Sequence, residues 1–242
     1  MTVVSQLSRA VEECWPEWGA ATAHVLHRHP SGDSVAQMTL PAEWQINLRA
    51  HRTHTYEILV LEGSLEIGSS PLDKWGYAHV PHSCAVPFKS QQGATVVIFA
   101  DRPRPTDGMQ LRLVTTAPDD WRPGAVASRD TGRSLALMVR DLYRVSITGQ
   151  RTWLLKASAD LVLPYERHRT IEEGYIIQGR YRLIECLPSG EAQFDHEPGG
   201  YFWRPPGIIH GGPKSGSDGD FVMLLRTPEA LTVEFVEAPS SS

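Results

Sequence analysis

The chain has no long apolar run. Its longest uninterrupted apolar stretches, such as Val96–Ala100, fall far short of the roughly 20 residues that cross a bilayer as a helix. Neither a basic leader region nor an apolar signal core marks Met1–Trp15, so the expectation is a cytoplasmic protein with no membrane partner. Cysteine is scarce. Cys14, Cys84 and Cys186 are odd in number and lack CxxC spacing, which argues against a disulfide framework and against a zinc ribbon and leaves them as expected small buried hydrophobes. No basic cluster is present: 23 Lys and Arg face 28 Asp and Glu, a net charge of −5, so nucleic acid is not an expected partner. Helical periodicity is scarce too. Only Val3, Leu7, Val11 and Cys14 share one helical face, which predicts a short N-terminal helix over Val3–Trp15.

What remains is globular and β-like. Of the 242 residues 41% are hydrophobic and 21% charged, outside the disordered range. A chain of this size buries about 70% of its unfolded surface and needs no covalent staples. The 20 glycines and 18 prolines fall between short runs rich in β-branched and aromatic residues. Candidate strands include Tyr56–Leu61, Gly76–Pro81 and Thr95–Ala100, and later Thr152–Ala157, Glu172–Gln178, Tyr181–Leu187, Tyr201–Arg204 and Asp220–Arg226. A polar, proline-rich stretch from Arg102 to Arg133 separates the two sets.

The sets repeat each other. His51-Arg52-Thr53 precedes a strand ending at Gly63, and His168-Arg169-Thr170 precedes one ending at Gly179, an offset of 116 residues between the glycines. Each repeat then reaches a Gly-Tyr strand that closes on proline, Gly76-Tyr77 to Pro81 and Gly200-Tyr201 to Pro205. A repeat this long implies duplicated domains, here 1–120 and 121–242, each a small antiparallel barrel or jelly roll.

The second repeat resembles the cupin family, whose motifs read G(x)5HxH(x)3–4E(x)6G and G(x)5PxG(x)2H(x)3N. Glu172 and Gly179 stand at the first motif's Glu and final Gly positions, with His168 at the second histidine position and Glu166 at the first. Gly199 and Pro205-Pro206-Gly207-Ile208-Ile209-His210 reproduce the second motif as far as its histidine, while Lys214 stands at the terminal Asn position. The resemblance implies an all-β bicupin with Glu166, His168, Glu172 and His210 around one divalent transition ion, Zn, Fe, Mn or Ni. The spacing accords with this, because residues i and i+2 on a strand face the same side. Glu172 and Glu173 are adjacent, so only one points inward, and the sequence leaves open which. Similar proteins are an uncharacterised family of bacterial bicupins and the cupin domain of zinc-dependent anti-sigma factors.

The first repeat is blunted. Tyr56 takes the glutamate position, Arg49 the first-histidine position and Val86 the last-histidine position, leaving His51 alone. A guanidinium has no lone pair to donate and repels a cation. The N-terminal barrel is therefore expected to bind no metal; His54, Glu57, His79 and His82 are an alternative cluster there, and His27-Arg28-His29 reads as a strand end or turn. His196 has no motif partner and reads as a surface residue. Tyr165, Tyr175, Tyr181, Trp203 and Arg204 are candidate substrate contacts, of which strand alternation admits only some. The resemblance implies a metal-dependent dioxygenase or isomerase acting on a small carbonyl compound, or a non-catalytic sensor of a small molecule. It leaves a homodimer open.

Overall fold

Alternating polar and apolar runs pair throughout as antiparallel strands in a computed structural model that describes residues 2–4, 6–48, 53–105, 110–115, 120–124, 137–158 and 163–237. Arg49 and His51 lie outside the described residues. The chain divides into two units, Ala10–Asp120 on the one hand and Met1–Arg9 with Trp121–Ser242 on the other. Among the described residues no α-helix is present, and no helix is long and apolar enough to cross a membrane.

In the unit Ala10–Asp120, a seven-stranded sheet has Ala94–Asp101 at its centre, between Thr55–Gly63 and Ser34–Leu40, with Tyr77–Val80 on the far side of Thr55–Gly63. A four-stranded sheet, Trp44–Leu48, Val86–Ser90, Leu65–Ile67 and Ser70–Leu72, supplies the opposite wall of the core. Aromatic side chains fill the space between them. The Trp18 ring lies 5.9 Å from Trp44, 5.5 Å from Tyr56 and 5.8 Å from Phe88. Tyr56, at the motif's glutamate position, is part of this packing.

The second unit repeats the plan. Its seven-stranded sheet runs Thr2–Val4, Tyr201–Arg204, Glu172–Gln178, Phe221–Thr227, Arg151–Ala157, Leu137–Arg144 and Arg122–Pro123. A five-stranded sheet faces it, with Gly190–His196, Tyr181–Leu187, Ile209–Gly211, Tyr165–His168 and Val233–Phe235 in that order. Apolar residues of both sheets, including Trp153, Ile176, Leu183 and Met223, form its core.

The predicted N-terminal helix is not formed. Its span holds most of the strand Thr2–Val4, a short 3-10 turn at Leu7–Arg9 and the strand Val11–Cys14, and a second 3-10 turn follows at Pro16–Trp18. Thr2, Val3 and Val4 are all β-branched, and a sheet edge is open to them: Thr2 pairs with Trp203 and Val4 with Tyr201. A full ladder outcompetes a helix too short to nucleate well. Met1–Arg9 thus fall in the unit of Trp121–Ser242, whereas the sequence division places them with residues 10–120. The cysteines are free but not buried as expected: Cys14 is exposed, and Cys84 and Cys186 are half-buried.

The duplication persists in atomic detail. Tyr77 donates to Glu57 at 2.6 Å in one unit, and Tyr201 donates to Glu173 at 2.7 Å in the other. Gly63 and Gly179 both have positive φ, +74° and +79°, and a Cβ on either would lie 2.3 Å from a backbone carbonyl oxygen. Only glycine meets both conditions at that turn.

Candidate metal centre

Glu166 and His168 lie two residues apart on the strand Tyr165–His168, so their side chains share its inner face. The ladder pairs Glu166 directly with His210 on Ile209–Gly211. The turn that delivers His210 is fixed to the same strand, because the Gly207 N–H donates to the His168 carbonyl at 2.8 Å. One ligand atom each from Glu166, His168 and His210 lies within 4.8 Å of the others. His210 Nε2 is 3.4 Å and His168 Nε2 3.8 Å from Glu166 Oε1. The His210 Nδ1–H bonds the Ile208 carbonyl at 3.1 Å, which leaves the Nε2 lone pair for the site.

Glu172 is the inward carboxylate of its pair. It is buried, with Oε2 3.6 Å from His168 Nε2. Glu173 occupies the opposite face, where it accepts from Tyr201 and from Arg226. Glu172 is also the register partner of Arg204, and its Oε2 accepts from Arg204 Nη1. Arg204 Nε donates to Glu185 Oε1 at 2.8 Å. Glu172 therefore stands beside the three-residue cluster, held by a guanidinium.

The electrostatics follow from burial. Burial pushes the Glu166 carboxyl up, against the pull of His168 and Arg204. It also pushes Glu185 up, with Arg204 opposing. His210 is held well below the ordinary imidazole value by burial first and by the Arg204 charge second, so its imidazole is neutral and able to ligate. Burial works against the Arg204 charge, but Glu172 and Glu185 outweigh it and hold that group above the usual arginine value.

The donor set fits a divalent transition ion. Two neutral imidazoles and a carboxylate match Zn²⁺, Fe²⁺, Mn²⁺ or Ni²⁺ better than the thiolate-seeking Cu⁺. The carboxyl groups of Glu166, Glu172 and Glu185 gather around one buried arginine, Arg204, so a divalent cation held by Glu166 would add positive charge where carboxyl groups outnumber cations.

The cluster opens into a cavity of about 500 Å³ with largely apolar walls, among them Trp153, Leu155, Phe202, Leu225 and Phe235. Tyr181 and Arg204 line it as the sequence suggests. Tyr175 and Trp203 do not. They alternate with Gly174, Phe202 and Arg204 along their strands and sit on the outer face. Tyr165 likewise points away, donating to Glu191 at 3.0 Å. His196, expected at the surface, is fully buried 5.9 Å from the Phe202 ring. Glu185 is the participant that motif reading missed. Its only signal is phase, since Tyr181, Leu183 and Glu185 alternate inward on one strand.

No protein-family model and no curated protein matches the chain. Solved structures do. A candidate dioxygenase from Nostoc punctiforme superposes with a TM-score of 0.69 at 17% identity, covering 96% of this chain and 86% of its own. A candidate glyoxylate-induced protein from Pseudomonas aeruginosa gives 0.67 at 18%, with coverage of 96% and 86%. A variant oxalate decarboxylase from Bacillus subtilis gives 0.64 at 12%, with coverage of 98% and 79%.

Proposed function

We propose that this chain, a bicupin in fold, holds one divalent transition ion in its C-terminal barrel and acts there on a small carbonyl or enol compound, as a dioxygenase or an isomerase. The observation that carries the reading is the convergence of Glu166, His168 and His210, with His210 Nε2 left free by the bond from Nδ1 to Ile208. These three residues hold the ion, and Glu172 is a fourth donor available only on leaving Arg204. The ion supplies Lewis acidity toward a chelating oxygen and, if it is iron, redox chemistry with O₂. Arg204 donates to both Glu172 and Glu185 and fixes the two carboxyl groups in a buried setting. Tyr181 and the apolar walls shape the substrate space and keep water from it. The fold's likeness to a candidate dioxygenase and to an oxalate decarboxylase supports metal-centred chemistry as a class.

A second reading is a non-catalytic small-molecule sensor. It is favoured by the pairing of Glu172 and Glu185 with Arg204, which ties both carboxyl groups to a guanidinium. Metal analysis of protein purified without a metal-affinity tag, beside His210→Ala, tests the ion. Oxygen uptake and product formation across diketones, enediols and hydroxy acids, with Fe²⁺, Mn²⁺, Ni²⁺ and Zn²⁺ in turn, test the chemistry. Tight binding of one compound without turnover under any metal would favour the sensor.

A further inference from the structure

The cavity that contains the metal centre also receives three arginines that the centre does not use, Arg122, Arg144 and Arg151. Arg144 and Arg151 are direct cross-strand partners. Like charges opposite each other in an antiparallel pair repel and cost stability. One carboxylate serves the group: Asp141 accepts from Arg151 Nε at 2.6 Å and from Arg122. Three cations against one anion leave two positive charges uncompensated within this set. The Arg151 guanidinium is further fixed 4.5 Å from the centroid of Trp153, itself a cavity wall. Its Nε is committed to Asp141, and its Nη groups bond no side chain among the described residues.

The ladder sets this cluster against the metal centre. Glu173, Arg226 and Thr152 form one row across three strands. One residue further along, Thr227 pairs with Arg151, and Glu172 is the neighbour of Glu173 at that end of its strand. Two strand spacings, about 10 Å, therefore separate Glu172 from Arg151. Apolar Trp153 and Leu225 occupy the adjoining inward positions.

We propose that Arg144 and Arg151 form an oxyanion subsite, so that the ligand of this cavity is an organic anion. Its carboxylate or phosphate sits on the two guanidiniums, its apolar body lies against Trp153 and Leu225, and an oxygen function reaches toward His168 and His210. Guanidiniums are suited to this, since they present paired N–H donors to two oxygens at once. An anion with no apolar body would leave the wall unfilled. The inference rests on the proposed function only in taking this cavity as the substrate site. It does not need the ion.

The test is calorimetric titration of the full chain, stripped of metal by chelator, with 3-phenylpropionate, 2-phenylethyl phosphate and the neutral 3-phenylpropionamide. At least one anion should bind about tenfold more tightly than the amide, a preference that weakens with added salt. Arg144→Gln should remove that preference and leave amide binding unchanged. Arg151→Gln should do the same but also loses the Trp153 stack, so the exposed Arg144 is the decisive position. A tighter carboxylate assigns an organic acid, and a tighter phosphate assigns a phosphate ester. Equal affinity for all three compounds, no binding of any, or an equal loss of all three in Arg144→Gln would overturn the subsite. Retained anion preference in a protein that never takes up metal would instead overturn the proposed metal function alone.

Discussion

Arg204 lies directly across the ladder from Glu172 and closes its guanidinium on that carboxylate. In the cupin motif the position of Glu172 is a ligand, yet here a buried cation of the chain's own has taken its oxygen, and a second bond to Glu185 anchors that cation from behind. An ion held by Glu166, His168 and His210 would therefore meet three protein donors rather than four, which would leave it positions for a substrate.

Arg204→Met should expose this bias. The substitution strands Glu172 and Glu185 as buried charges without a partner, and breaking such a pair typically costs about 3–5 kcal/mol. Metal-free variant protein should lose stability on that scale. Added Zn²⁺ should restore more stability to the variant than to the wild type, because Glu172 is then free to bind it. Unfolding midpoints with and without Zn²⁺ check the first part. The visible spectrum of Co²⁺-loaded protein, which weakens as coordination number rises, checks the second. Unchanged midpoints and an unchanged spectrum would refute control of Glu172 by Arg204.

Glu166→Gln and Glu173→Gln should separate the two faces of the sheet. The first removes a charged donor from the cluster and should weaken metal binding by at least about tenfold, as loss of even an outer supporting group can. The second leaves metal affinity unchanged but removes the charge and one of the two oxygens that accept from Tyr201 and Arg226, at a stability cost of about 1.5–3 kcal/mol. Competition titration against a chromophoric chelator, together with denaturant unfolding, reads both effects. Metal loss in Glu173→Gln with none in Glu166→Gln would reverse the assignment.

Local spacing was enough to predict that Glu166, His168, Glu172 and His210 lie near one another, because the motif and the Pro-Pro-Gly turn are each contiguous in the chain. It did not settle phase. An aromatic side chain at Tyr175 or Trp203 suits a pocket wall as well as an outer sheet face, and only the inward placement of Glu172 decides that its odd-numbered neighbours turn away. The bond from Arg204 to Glu185 joins two strands whose pairing no short window contains. The N-terminal segment failed for the same reason: the edge that claims Thr2–Val4 is formed by Tyr201–Trp203, far along the chain. Periodicity had only four residues to work with there, and a β-branched run beside an open edge outweighed them.

Gly63→Ala and Gly179→Ala should each destabilise by about 2 kcal/mol or more, since a side chain must adopt a left-handed backbone and also displace a carbonyl oxygen. The shared geometry predicts similar costs in the two barrels, whether or not a barrel holds the candidate cluster of Glu166, His168 and His210. Thermal unfolding of the two variants is the measurement. A neutral effect at either turn would mean that the turn relaxes and that the glycine is not dictated by it.

The metal-free protein should lose stability in mild acid through His210. Its folded pKa is held well below the ordinary 6.5, by burial and then by Arg204. Between that depressed value and 6.5 the unfolded chain takes up a proton that the folded chain refuses, so stability falls as pH drops from 6.5. The slope from one such group approaches about 1.4 kcal/mol per pH unit. Glu166 and Glu185 act in the opposite sense. Burial raises them above the ordinary 4.5, so their contribution is complete below 4.5 and is lost as pH rises through their folded values. The two effects separate in a difference experiment. Unfolding free energies of chelator-treated wild type and His210→Asn are compared from pH 8 to pH 5, and the wild type should lose ground to the variant below about 6.5. Parallel curves would show that the His210 imidazole takes up its proton in the folded barrel as readily as in the unfolded chain.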